Sequence, residues 1–158
     1  MTDPSGLSKA IGTDADFPQM GWHDCRIHAL AFLEDDDPPP GRLLLDLDYI
    51  VRWVEPARGE QHFTFWIAPA TLVFDEAWDI TGDLGPLHGS LEIADVHRLD
   101  PPDDSPDPMW HIEGQEFDLR LRAHGFRQYI RARPQHVDRQ VLTMAERGGL
   151  SFAEQAFA

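Results

Sequence analysis

Residues 42 to 54 read Arg42-Leu43-Leu44-Leu45-Asp46-Leu47-Asp48-Tyr49-Ile50-Val51-Arg52-Trp53-Val54. In an extended chain, Leu43, Leu45, Leu47, Tyr49, Val51 and Trp53 share one face, and Arg42, Asp46, Asp48 and Arg52 share the other. Successive side chains of a strand point to opposite faces, so this period of two marks a half-buried β-strand. Upstream, Trp22 to Leu33 reads as a first strand. It is stopped by Glu34-Asp35-Asp36-Asp37-Pro38-Pro39-Pro40, because a charged run ending in three prolines can continue neither helix nor ladder. Downstream, Phe63, Phe65 and Ile67 alternate with His62, Thr64 and Trp66. Pro69 is expected to interrupt, and Thr71 to Phe74 resumes as a short apolar strand. Leu87 to Val96 is a further strand whose alternation changes phase, as a bulge would make it. Pro101 to Pro108 is a second Pro/Asp loop.

The stretch from Met109 to Arg133 predicts a three-stranded meander. Gly114-Gln115 suits a two-residue turn with glycine first, pairing Ile112 with Phe117 and Trp110 with Leu119. His124-Gly125 suits a second, pairing Arg122 with Arg127 and Arg120 with Tyr129. Both registers put Trp110, Ile112, Phe117, Leu119, Ile130 and Ala132 on one face, and a one-residue slip would invert them all. Beyond the meander two readings stand. Val137, Val141 and Met144 could stripe a helix, with Ser151-x-x-Glu154 as a capping box. Alternatively, and preferred, Val141 to Met144 and Leu150 to Phe152 flank a Glu-Arg-Gly-Gly turn. Residues 1 to 18 are small, polar and punctuated by Pro and Gly, which predicts a flexible N-terminal arm before one β-rich domain spanning 19 to 158. The fold class expected is mainly β: an antiparallel sandwich or strongly curved sheet of about seven or eight strands, with short helical turns between Asp75 and Leu84.

The chain has 158 residues, enough for one domain with a sizeable core, and 13 prolines and 12 glycines, which suit many turns. Its formal charge of -15 disfavours nucleic acid, whose phosphates it would repel, and favours a basic protein partner. The single cysteine, Cys25, excludes an intramolecular disulfide and a multi-cysteine zinc site; between apolar neighbours it reads as a small core residue. No apolar run suggests a signal peptide or a membrane span, so a cytoplasmic location is expected. No pattern specifies an oligomeric state.

No motif commits the chain to a reaction. A phosphate-binding glycine loop, Gly-x-Ser-x-Gly and a His-x-x-x-His helix motif are all missing from the sequence. His23-Asp24 could in principle supply acid–base chemistry or metal ligands. Strand neighbours diverge, however, so Asp24 reads as a turn residue satisfying backbone donors, beside a core Trp22. The remaining histidines read as solvent-facing. Asp46 and Asp48 read as surface acids paired with Arg42, Arg52, Arg131 or Arg133, each pair contributing about 0 to 1 kcal/mol. No catalytic residue, metal ligand or cofactor is assigned. Residues 117 to 147 hold seven arginines against three acids, and the meander register sets Arg122 directly opposite Arg127, an unfavourable pairing. Arg120, Arg122, Arg127 and Arg131 are therefore candidates to hold an anion or an acidic partner segment. The competing reading is neutralisation by the chain's own acids, such as Glu34, Asp35, Asp36 and Asp37, which are also candidates to meet a basic partner.

Trp22-His23-Asp24, the run Pro69-Ala70-Thr71-Leu72-Val73-Phe74, and Gly125-Phe126-Arg127-Gln128-Tyr129-Ile130-Arg131 with Pro134 together resemble small bacterial β-domains, some similar to immunity proteins of polymorphic-toxin systems. The resemblance spans most of residues 20 to 134 and implies a binding role without catalytic residues. Three functions follow as expectations. The first is a non-enzymatic acidic protein that binds a protein partner. The second is a small-molecule or anion-binding domain using Arg120, Arg122 and Arg127. The third is a metal-dependent hydrolase using His23, Asp24 and distant histidines.

Overall fold

A computed structural model describes residues 3–34, 41–86, 89–101 and 103–158. It is mainly β and antiparallel throughout. The strands are β1 (Ile11–Thr13), β2 (Arg26–Leu33), β3 (Gly41–Val54), β4 (Thr64–Asp83), β5 (Leu91–Leu99), β6 (Met109–Gly114), β7 (Asp118–Arg122), β8 (Gly125–Ile130) and β9 (Gln135–Val137). A 3-10 helix covers Asp14–Gln19, and one turn of α-helix, α1, covers Met144–Arg147. Pairing runs β4-β3-β2-β5-β6-β7 and returns to β4, so the sheet curls into a closed ring. The β2–β5 seam is short, with only Arg26 opposite Glu92 and Ile27 opposite Leu91. No helix among the described residues is long and apolar enough to cross a membrane.

The ring is filled by the predicted apolar rows. Leu45, Leu47, Leu72, Phe74, Ile93, Trp110, Ile112, Leu121 and Phe126 are essentially inaccessible to solvent. Trp22 and Trp110 meet Phe126 edge-on, at centroid distances of 5.6 and 5.3 Å. Both buried indoles donate their N–H, Trp22 to Gln128 Oε1 at 2.8 Å and Trp110 to the Ala123 carbonyl at 3.1 Å, so neither carries an unpaired polar group. The 3-10 helix adds Phe17, stacked on Trp22 and edge-on to Trp110.

β4 accounts for most departures from expectation. At 20 residues it runs straight through Pro69, whose carbonyl accepts from Arg131 N–H at 2.9 Å. It also replaces the helical turns expected after Asp75. Glu76 and Asp79 take left-handed φ values of 51° and 52° within it, and the β7 register shifts between Trp78 and Thr81. One edge of β4 pairs with β3. The other takes β9, β8 and β7 in succession, through Phe65↔Val137, Ala70↔Ile130 to Asp75↔Gly125, and Trp78↔Arg122 to Asp83↔Asp118. β7 and β8 are thus consecutive along β4, and no hairpin joins them. The long, unbroken edge of β4 satisfies the backbone of both, so a local turn gains nothing. Gly125 serves a close approach instead: a Cβ there would lie 2.3 Å from Asp14 Oδ1, which accepts from Phe126 N–H.

The β6–β7 hairpin does form, but its register is longer by two residues. Trp110 faces Leu121 and Ile112 faces Leu119, and Gly114 N–H donates to the Phe117 carbonyl at 2.9 Å. A slip of two keeps every side chain on its face, so Trp110, Ile112, Phe117 and Leu119 are buried as expected.

Three further expectations are corrected. The N-terminal arm carries β1, paired with β8, and the 3-10 helix, because Phe17 supplies an anchor for its short polar chain. The fifth strand starts at Leu91; Leu87 lies outside the described residues. The C-terminus forms neither the hairpin nor the Val137–Met144 helix. Its capping box is Thr143 with Glu146, while Ser151 and Glu154 are used in tertiary contacts described below.

Candidate functional site

The four candidate arginines sit apart, and each meets a carboxylate of the chain. Arg127 forms a two-pronged pair with Asp75 (2.9 and 2.8 Å), donates to the Tyr129 hydroxyl, and reaches Glu154 at 3.2 Å. Arg131 bonds Asp46 and Thr71 Oγ1, both at 2.8 Å. Arg122 lies over the Trp78 ring, 4.8 Å from its centroid, and pairs with Asp103 at 2.9 Å. Arg120 reaches Asp118 at 3.2 Å. Because β7 and β8 are collinear, Arg122 and Arg127 do not face each other, and the repulsion inferred from the hairpin disappears. The counter-charges come from Asp46, Asp75, Asp103, Asp118 and Glu154. Glu34 is exposed and supplies none of them, and Asp35, Asp36 and Asp37 lie outside the described residues.

Asp46 and Asp48 are not surface acids. Both are fully buried on the outer face of β3, beneath the C-terminal segment. Arg147 is equally buried and bridges them, with Nε to Asp48 Oδ1 at 3.0 Å, Nη1 to Asp46 Oδ2 at 2.9 Å and Nη2 to Asp46 Oδ1 at 2.6 Å. The Leu142 and Ser151 backbone N–H groups each donate to one of these carboxylates at 2.9 Å, and His28 Nε2 bonds Asp48 at 2.8 Å. Burial alone would raise the Asp46 pKa; Arg147, the Ser151 N–H and Arg131 together outweigh it and hold the carboxyl below its ordinary range. Two carboxylates and two guanidiniums neutralise each other here, so the cluster staples the C-terminus to the sheet. The sequence carried a signal for this cover: Leu44 and Ile50 share a face with Asp46 and Asp48, and a solvent face would not place two large apolar residues around its acids.

The same outer face is open at its other end. Between Ile50 and Arg52 the β3–β4 register shifts by one residue. Tyr49 therefore faces Ala68, while Trp53 faces Phe65, three positions away and on the opposite face. The bulge turns Trp53 outward, against the expectation that it joins Leu43 to Val51. Trp53 is 38% exposed and Phe63 43%. Trp53 meets Phe63 and Phe65 edge-on, and the His23 ring stacks on it at 6.0 Å. His62, Asp138, Arg139 and Gln140 flank the opposite side of Trp53.

Asp24 turns the chain beside this shelf, but its carboxylate meets a side chain where backbone donors are expected. It adopts φ 65°, its N–H donates to the Ile93 carbonyl at 2.8 Å, and its Oδ2 accepts from Gln140 Nε2 at 3.0 Å. His23 Nδ1 bonds the Ala94 carbonyl, leaving Nε2 3.5 Å from Asp24. Glu92 is the neighbour that sequence reasoning missed. Burial raises its pKa, and the adjacent Asp24 carboxylate raises it further. Among the described residues no group of three or more His, Cys, Asp or Glu side chains is arranged to hold a metal ion. Cys25 is buried, accepts from Ile50 N–H, and has a thiol pKa pushed up to about 12 by burial, which keeps it a protonated core residue.

Comparison of the chain with family models, with curated proteins and with solved structures returned no match in any of the three, so the shelf and the staple are interpreted from their own chemistry.

Proposed function

We propose that this chain is a non-enzymatic interaction protein that takes a basic protein partner on the Trp53 shelf. The observation that supports this most is the exposed group of Trp53, Phe63 and His23, whose border carries three acids, Asp24, Glu92 and Asp138, against Arg139, itself paired with Glu146. Large, stiff aromatic rings supply contact area at small entropic cost and dominate binding energy at interfaces. An acidic border and a total charge of -15 accelerate encounter with a basic surface. A toxin-neutralising role, which the resemblance to immunity proteins implies, is one form of this reading.

The test mixes the intact chain with the products of neighbouring genes and compares it with Trp53→Ala. A partner retained at low salt, released by high salt and lost with Trp53→Ala supports the reading. A partner retained equally by the variant, or none retained at low salt, overturns it.

A further inference from the structure

A cavity of about 340 Å³ lies between the N-terminal segment, the 3-10 helix and strands β3 and β8. That volume is within the range of small-molecule sites. Its walls are mixed: Leu7, Met20, Val51 and Ile130 are apolar, whereas Ser8, Gln19, Tyr49 and Gln128 are neutral and polar. Lys9 and Asp16 are charged.

Gln128 is 2% exposed. Its Oε1 accepts from Trp22 Nε1, and an indole N–H can only donate, so the amide orientation is fixed and its NH2 group is the end left for the cavity. Among the described residues that NH2 has no acceptor. Tyr49 is likewise almost fully buried, and its hydroxyl oxygen accepts from Gly21 N–H at 3.5 Å. No acceptor for the Tyr49 O–H lies among the described residues. Burial raises the phenol pKa to about 12, so it stays a donor at neutral pH. The cavity therefore offers two neutral donors, unpartnered among the described residues, on a wall of mixed polarity that Ser8 and Gln19 also line. Its cation, Lys9, stands at the rim and is held by Asp16 at 2.7 Å. A carboxylate brought inside would lose water without gaining a free cation, at a cost that neutral donors offset poorly.

We propose that this cavity binds a small, uncharged molecule whose carbonyl oxygen accepts hydrogen bonds from Tyr49 and Gln128. The site is independent of the partner-binding reading.

Ligand-observed NMR on the intact chain tests it with three probes of similar size: acetophenone, ethylbenzene and benzoate. Acetophenone is expected to bind, with ethylbenzene weaker by at least about threefold to tenfold, the range of one net hydrogen bond. Benzoate is expected to be weaker than acetophenone. Tyr49→Phe should reduce acetophenone affinity toward that of ethylbenzene, and Val51→Trp should block all binding by filling the cavity. Leu7→Trp, on the N-terminal segment, replaces Val51→Trp if that variant fails to fold. The proposal is overturned if acetophenone does not bind, or if ethylbenzene or benzoate binds as tightly. It is also overturned if Tyr49→Phe has no effect or the filled variant still binds.

Discussion

The outer face of β3 is treated in two opposite ways within eight residues. At Asp46 and Asp48 it lies beneath the C-terminal segment, and each carboxylate is met by guanidinium and backbone donors. At Trp53 it is part-exposed, and among the described residues no arginine is hydrogen-bonded to the neighbouring Asp24 or Glu92, although Arg26 lies opposite Glu92 and lowers its pKa in part. One backbone bulge separates the two regimes. Guanidiniums are concentrated where a segment without regular structure must be held down, because α1 and its flanks bury few apolar residues of their own. Where no segment lies on the sheet, the face keeps its aromatic rings and its negative border. A protein this acidic thus neutralises its acids unequally, and the less neutralised end is the one proposed to meet a partner.

The stapled end should break hardest. Arg147→Met removes the guanidinium that bridges both aspartates and leaves two buried carboxylates short of charge. We expect a loss of about 3–5 kcal/mol of unfolding free energy, read from urea denaturation, the usual range for breaking one side of a buried ion pair. A loss below about 1 kcal/mol would mean that the C-terminal segment is held by packing alone. Acid offers a second approach to the same site. The folded pKa of Asp46 lies below its ordinary 3.8, so the stability it contributes is full above that value and is lost as pH falls through the folded pKa. Stability should therefore fall as pH drops below about 4. Deuterium exchange at the Ser151 amide, which bonds Asp46, should rise before that of the ring strands. Simultaneous release of all amides would show that the segment is not a separate unit.

The open end should show the reverse profile. Trp53→Ala is expected to lower partner affinity by more than about tenfold, the behaviour of a central aromatic anchor. Its effect on unfolding should stay within about 1–2 kcal/mol, because the ring is already part-exposed. A larger stability loss with unchanged binding would recast the shelf as part of the core.

Much of this arrangement was legible in the sequence, and the failures share a cause. The alternation of Leu43 to Tyr49 and the faces of Trp110, Ile112, Phe117 and Leu119 follow from the pleat, which is local. The supposed Arg122–Arg127 pair failed because a glycine after a histidine resembles a turn, whereas the long edge of β4 was a competitor no local pattern reveals. The Gly114 turn differs more mildly: its tip moves one residue along the chain, to Gln115-Glu116, which shifts the register by two, and Phe117 packs over Gly114, where a Cβ would collide with the ring. Asp46 and Asp48 look solvent-facing in the sequence because their covering segment is 94 or more residues away. Trp53 was misplaced because a single-residue bulge leaves no mark in an apolar run. Glu92 was invisible for the same kind of reason as Arg147: its significance is a neighbour brought by tertiary structure.

The smallest effect expected is also the most discriminating between the two ends of the face. Glu92 has a folded pKa raised by burial and by Asp24, so its ionised form costs stability. That cost is present above the folded pKa and vanishes below the unfolded value near 4.5. Glu92→Gln should therefore raise Tm at neutral pH and converge on the wild type in acid. Asp46→Asn is the same chemical change, a carboxylate made into an amide, and should lower stability at neutral pH by leaving Arg147 and Arg131 without full charge compensation. Opposite signs would establish that one end of the face depends on its negative charge for folding and the other carries negative charge at a cost to folding. A carboxylate kept against its folding preference is what a surface selected to meet a cation would contain. If Glu92→Gln instead destabilises, Glu92 is serving the fold, and the acidic border of the shelf reduces to Asp24 and Asp138.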